Sequence, residues 1–196
     1  MTLTLSFFYI SISIGFILNA VYVPFEINPL VTILVLLSIF FILLGPIFLV
    51  LFNIIIFKTE KQSISKLERI YIILYIFLLI LSLLIPQGIK INESTEWRPI
   101  FSWLFLIVIY LFITFFILLP LYFLSVKLYK SFEDTNLKKK LRYFYLGIFG
   151  LAFTLYGLVL YNTWDNSIFR TIWSITTSIV FLPSTALIYY AWIHSL

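Results

Sequence analysis

Carboxylates, arginines and indoles meet at few points along this chain, and any polar chemistry must reside there. Glu93, Glu96, Trp97 and Arg98 form one such group, and Trp164 with Asp165 forms a second. Mixed charge beside aromatic faces suits selection of a zwitterionic or cationic solute. Glu96, Trp97, Arg98, Trp164 and Asp165 are therefore candidate ligand-binding residues on one rim of the protein, with solvated turn charges as the plainer alternative. The other carboxylate pair, Glu133 with Asp134, falls among lysines and reads as a polar connection. Within apolar sequence the clearest polar side chains are Asn19 and Asn53. Asn19 shares a helical face with Ser11, Gly15 and Tyr22. It is expected to hydrogen-bond inside the protein, with contact to a substrate as the alternative, whereas Asn53, close to Lys58, is expected at an interface.

No catalytic constellation assembles from these residues. The chain has no cysteine and a single histidine, His194. Retinal would need a lysine within a helix and bis-histidine haem a second histidine. A serine protease would lack its base, and zinc or di-iron would lack ligands. Catalytic residues, metal and cofactor are expected to be none, and the protein is expected to be non-enzymatic.

The elements that position these groups follow from charge exclusion. Among residues 1–57 the only formally charged side chain is Glu26, and 27–57, 70–89, 99–126, 143–164 and 171–196 contain none. A charge at the bilayer centre costs at least about 2.5 kcal/mol, so a chain that crosses repeatedly confines its charges to the connections. The hydrophobic fraction of 63% and charged fraction of 11% lie far from soluble averages. The pattern predicts an all-α, polytopic integral membrane protein, a bundle of six transmembrane helices with no soluble domain. The helices are expected at about 3–23, 30–57, 70–87, 100–126, 143–161 and 172–193, with 127–142 as a loop. The first is read as a permanent helix and not a signal peptide, because no Lys or Arg precedes Lys58.

Orientation follows from the cations. Lys58, Lys61, Lys66 and Arg69 in one connection, and Lys127, Lys130, Lys138, Lys139, Lys140 and Arg142 in another, are expected to be cytoplasmic, with both termini on the same side of the cell membrane. The net charge of +5 then reports topology and attraction to membrane lipids, not nucleic-acid binding. Trp97, Trp103, Trp164 and Trp173 on the outer boundary, and Trp192 with Tyr71, Tyr75, Tyr129, Tyr143, Tyr145, Tyr189 and Tyr190 on the inner one, read as aromatic belts. Asn92-Glu93-Ser94 matches a glycosylation acceptor pattern on the outer side.

Two packing signals complete the reading. Gly147, Gly150, Thr154 and Gly157 form a stripe that lets another helix approach, with Thr171, Ser174, Ser178 and Thr185 as the expected partner ridge. Pro46, Pro120 and Pro183 interrupt the second, fourth and sixth helices, which should be kinked or unwound there. The similar strings Phe40–Pro46 and Phe115–Pro120, with a weaker echo before Pro183, suggest a repeated hairpin. The function expected is that of a sensor or regulatory subunit acting through ligand binding and a membrane or cytoplasmic protein partner. The alternative is a small transporter, or a substrate-binding membrane subunit, for a neutral or apolar solute.

Overall fold

The computed structural model describes residues 2–58 and 65–193. Lys61, His194 and the side chain of Trp192 lie outside the described residues. Six helices follow in order: α1 Thr2–Val21, α2 Leu30–Phe57, α3 Lys66–Leu83, α4 Trp103–Ser131, α5 Thr135–Thr163 and α6 Ser167–Ile193. The protein is all-helical apart from a minimal antiparallel hairpin between α3 and α4, β1 Ile89–Lys90 with β2 Ile100–Phe101. Five helices, α1, α2, α4, α5 and α6, are long and apolar enough to cross a membrane. The chain divides into two compact units, Met1–Leu121 and Tyr122–Leu196, and the division falls inside α4 just after Pro120.

Boundaries moved where local chemistry outweighed hydropathy. Helix α3 starts before residue 70 because Ser65 and Glu68 form a reciprocal capping box. It ends at Leu83, since Ile85 precedes Pro86 and is biased away from helical backbone. Its uncharged stretch, 70–83, spans only about 21 Å, short of the roughly 30 Å of hydrocarbon. The expected loop at 127–142 is also corrected. Only Phe132, Glu133 and Asp134 are non-helical, and the cations sit on the last turns of α4 and the first turns of α5. Charge bars these residues from the membrane interior but not from a helix. Lys, Arg and Leu are good helix formers, Asp134 caps α5, and Leu128 and Leu141 are buried.

In the first unit, α1 and α2 pack as an antiparallel pair through glycine. A Cβ on Gly15 would stand 2.6 Å from Ile42 Cγ1 and 3.0 Å from the Ser38 carbonyl, and one on Gly45 would stand 2.8 Å from Ile12 Cγ1. The close approach permits two interhelical hydrogen bonds, Ser38 Oγ to the Gly15 carbonyl and Ser11 Oγ to the Phe41 carbonyl, each 2.8 Å. Lipid gives no water-driven force between helices, so backbone proximity of this kind holds the pair together.

In the second unit, Gly147, Gly150 and Gly157 do form a contact face, against α6. The expected partner ridge is wrong. Thr171, Ser174 and Ser178 are exposed, and these hydroxyls, like that of Thr185, return to their own helix backbone. The glycines instead meet Trp173, Val180, Ser184 and Ile188. The complement is mixed: Gly157 takes the bulk of Trp173, whereas Gly147 and Gly150 let the backbone and hydroxyl of Ser184 come close.

Candidate functional site

Two proline positions converge on one helix. Pro46 has no N–H and withdraws a donor from the turn it closes in α2, which nonetheless continues as α-helix. The carbonyl it leaves without an intrahelical donor is that of Ile42, and the next carbonyl along, Leu43, accepts a hydrogen bond from the Tyr75 hydroxyl of α3. Pro120 likewise leaves the carbonyl of Phe116 without its intrahelical donor, and the Tyr71 hydroxyl donates to that oxygen. The helix widens there into a π turn, Thr114–Leu118, where Leu119 N–H bonds to the Thr114 carbonyl. Tyr71 and Tyr75 are one helical turn apart and share a face of α3. Tyr75 is fully buried, its ring 4.7 Å from that of Phe112, while Tyr71 lies 6.1 Å from Phe116.

Tyr75 is therefore an internal hydrogen-bond donor and not a belt residue. Beside Pro183 the hydroxyls of the same helix serve its carbonyls. Ser184 Oγ donates to the Val180 carbonyl at 2.7 Å, and Thr185 Oγ1 donates within the same helix. Pro46 and Pro120 thus share a neighbour, since a tyrosine of α3 reaches a carbonyl beside each of them.

Beside these tyrosines, α3 and α4 leave an open groove of about 470 Å³ walled by Leu78, Leu81, Ile85, Leu111, Phe112 and Phe115. The one hydroxyl in its lining, Ser82, is committed to the Leu78 carbonyl at 2.8 Å. What the groove offers is an apolar wall.

The residues singled out from sequence fall into separate settings. Asn19 is exposed, not hydrogen-bonded inside the protein, because α1 turns Ser11 and Gly15 toward α2 and the last turn departs from that face. Asn53 is buried rather than interfacial, its Nδ2 donating to the Leu49 carbonyl at 2.8 Å. In the first unit Glu96 and Arg98 pair at 3.6 Å, with both side chains more than three-quarters exposed, a geometry that contributes little. Glu96 and Trp97 have φ of 51° and 56°, uncommon for side-chain-bearing residues. The Trp97 indole packs on the cluster of Val31, Val35 and Ile91, so it anchors the hairpin loop. Asn92 caps the short 3-10 turn Glu93–Thr95 and is exposed.

In the second unit Trp164 lies 5.2 Å from the Phe169 ring, and Asp165 pairs with Arg170 at 2.8 Å. Arg170 Nε also donates to the Tyr161 carbonyl at 3.1 Å, so its cation closes the negative end of α5. Arg170→Gln is expected to lower the stability of the detergent-solubilised protein by about 1 kcal/mol, read as a reduced thermal midpoint. An unchanged midpoint would show the cap to be idle.

Of the cations assigned to one side, Lys58 is paired with Glu68. Burial alone would raise the Glu68 carboxyl, but hydrogen bonds from Lys58 and Ser65 outweigh it and hold the group below its ordinary range. Among the described residues no three His, Cys, Asp or Glu side chains stand together as a metal site requires. Sequence reading placed Tyr71 and Tyr75 in the inner belt, without their carbonyl partners, and passed over Ser38 and Gly45. A four-residue tyrosine spacing opposite two prolines was the available signal.

These observations define an all-helical protein with five helices long and apolar enough to cross a membrane, and with an apolar groove beside two proline sites. No known protein family, curated protein or solved structure matches the chain.

Proposed function

We propose that this is a non-enzymatic, multi-pass cell-membrane protein of the sensor or regulatory kind, in which the acyl chain of a membrane lipid occupies the α3–α4 groove and a protein partner reads the response. The observation that carries the reading is the groove itself. Its lining offers no uncommitted polar group, and neighbouring exposed side chains such as Phe77, Leu104 and Ile107 are apolar, which suits a hydrocarbon chain arriving laterally from lipid. The π turn borders the groove through Phe115 and Phe116, so an occupant would bear on the Tyr71 hydrogen bond.

In this proposal α3 is the sixth span and both termini are cytoplasmic. Exposed Ile73, Phe77, Ile80 and Leu84 would be costly in water. Moreover, if α3 did not cross, the cations near residue 66 and those of 127–142 would face opposite sides, against the positive-inside bias. Helices α2, α4 and α6 would be kinked at their prolines.

The test is photolabelling of the full chain in membranes with a diazirine-bearing fatty acid. Label is expected to concentrate on 78–85 and 108–116 and to fall several-fold in Ser82→Trp, which fills the groove. Label spread evenly over all lipid-exposed faces would end the proposal. A second reading, a small transporter for an apolar or neutral solute, rests on the broken helices at Pro46 and Pro120. It requires that Pro120→Ala, which restores a donor to the Phe116 carbonyl, depress flux while expression holds.

A further inference from the structure

The short α4–α5 connection gathers six cations against two carboxylates, all in the second unit. Lys127 and Lys130 lie on the last turns of α4, and Lys138, Lys139, Lys140 and Arg142 on the first turns of α5. One of the two carboxylates is already engaged, since Asp134 Oδ1 accepts the Asn136 N–H at 2.8 Å to cap α5. Like charges this dense ordinarily need acidic partners to hold them together. Here phenols do it. Lys138 Nζ lies 5.5 Å and Arg142 Cζ 5.3 Å from the centre of the Tyr129 ring, and the Arg142 guanidinium also donates to the Tyr129 hydroxyl. Lys139 Nζ sits 6.0 Å from the Tyr143 ring.

A neutral ring organises cations without cancelling their charge. No ion pair among the described residues engages Lys138, Lys139 or Arg142. The arrangement is therefore an organised, uncancelled positive surface. Its position is equally specific. It closes one end of two consecutive helices that are each long and apolar enough to cross a membrane, and the uncharged run of α5 begins directly after Arg142. Where these two helices cross a membrane, groups at that end fall at headgroup depth.

We infer that the α4–α5 connection is a binding surface for the phosphate of an anionic phospholipid, with Arg142 and Lys138, oriented by Tyr129, as its principal contacts. Arg142 spends Nη2 on Tyr129, which aims the rest of its planar fork, and such a fork matches phosphate oxygens. A lipid is favoured over an acidic protein because these side chains lie in the plane where lipid phosphates are already concentrated. The inference is independent of the α3–α4 groove, which lies in the other unit.

The test offers the full chain, purified in mild nonionic detergent, an equimolar mixture of phosphatidylglycerol and phosphatidylcholine with identical acyl chains, and counts retained lipids by native mass spectrometry. Phosphatidylglycerol is expected to be preferred, with the preference falling roughly fivefold for each of Lys138→Gln and Arg142→Gln. Tyr129→Phe, which keeps the ring and all charges, should lose less than either. If the charge variants do not yield folded protein, a salt titration of the unaltered chain decides. The preference should fall with added NaCl while phosphatidylcholine retention stays level. Equal retention of both lipids, or a preference indifferent to salt and to both substitutions, would overturn the inference. So would displacement of phosphatidylglycerol by inorganic phosphate alone, which would make the surface a free-anion site. Displacement by a polyglutamate peptide would assign it to an acidic protein segment instead.

Discussion

Gly157→Val is expected to separate α5 from α6 and to be the most damaging single substitution in the second unit. A Cβ at this position would stand 1.6 Å from Cζ2 and 2.0 Å from Cε2 of Trp173. The indole has no easy retreat, because the rings of Phe153 and Phe169 lie 5.0 Å and 5.9 Å from it. Overpacking of this kind typically costs about 1–3 kcal/mol, and a branched side chain against a hemmed-in ring belongs at the upper end. Gly147→Val should approach it, since the nearest atom is the Ser184 backbone carbonyl at 2.6 Å. Gly150→Ala should be milder, because the Ser184 hydroxyl it meets can turn aside.

The absence of native cysteine provides a clean readout. A G150C/S184C pair, whose Cβ positions stand 3.0 Å apart and need to part by only about half an ångström to reach disulfide geometry, should oxidise readily in the otherwise unaltered chain and poorly when Gly157→Val is added. Undiminished cross-linking, together with an unchanged thermal midpoint, would mean that Trp173 is not held where the packing places it.

Tyr75 is expected to show the second large effect, in two separable parts. Tyr75→Phe keeps the ring on Phe112 and removes only the donor to the Leu43 carbonyl, at a cost of about 1 kcal/mol. Tyr75→Ala removes the ring as well and opens a cavity among α2, α3 and α4, for a total of roughly 3–5 kcal/mol. Unfolding in graded denaturant within a fixed detergent would measure both.

The link to the proline is tested by a double-mutant cycle. Pro46→Ala returns an N–H to the Ile42 carbonyl and removes the proline ring from the turn that presents the Leu43 carbonyl to Tyr75, letting that carbonyl close on its own helix, so the cost of Tyr75→Phe should shrink in that background. Strict additivity would mean that the tyrosine and the proline are neighbours without being coupled. Tyr71→Phe, acting on the Phe116 carbonyl from a less buried position, should cost less than its counterpart.

Much of this protein was legible because its strongest constraints act along the chain. Exclusion of charge is a one-dimensional rule, and it marked helices α1, α2, α4 and α6 to within about five residues, whereas α5 begins well before the uncharged run that marked it. The Gly147–Gly157 stripe was legible as a contact face for a similar reason, since glycine spacing along one helix states that something comes close. Capping chemistry at Ser65 and Asp134 was equally local, and it extended α3 and α5 into segments that hydropathy alone assigned to connections.

What the sequence could not express is which face of each helix turns inward. In a water-soluble protein, apolar residues mark the buried side. Here lipid and protein interior are equally apolar, so periodicity is silent and the choice depends on the shape of a second helix. Asn53 went inside and Asn19 outside without any difference in their local patterns. The partner of the glycine stripe proved to be the face of α6 that carries Trp173, Ser184 and Ile188, and not the exposed row of Thr171, Ser174 and Ser178. Tyr71 and Tyr75 acquired their role only when α3 met two proline-containing helices distant in sequence, because the carbonyl orphaned at Phe116 and the one beside the orphan at Ile42 find a donor through three-dimensional proximity. Sequence by itself determined an all-helical, membrane-suited chain and the places where helices can approach. Tertiary structure decided which side chains meet, since in an apolar medium the deciding quantity is complementarity between surfaces, a property of pairs that no single segment contains.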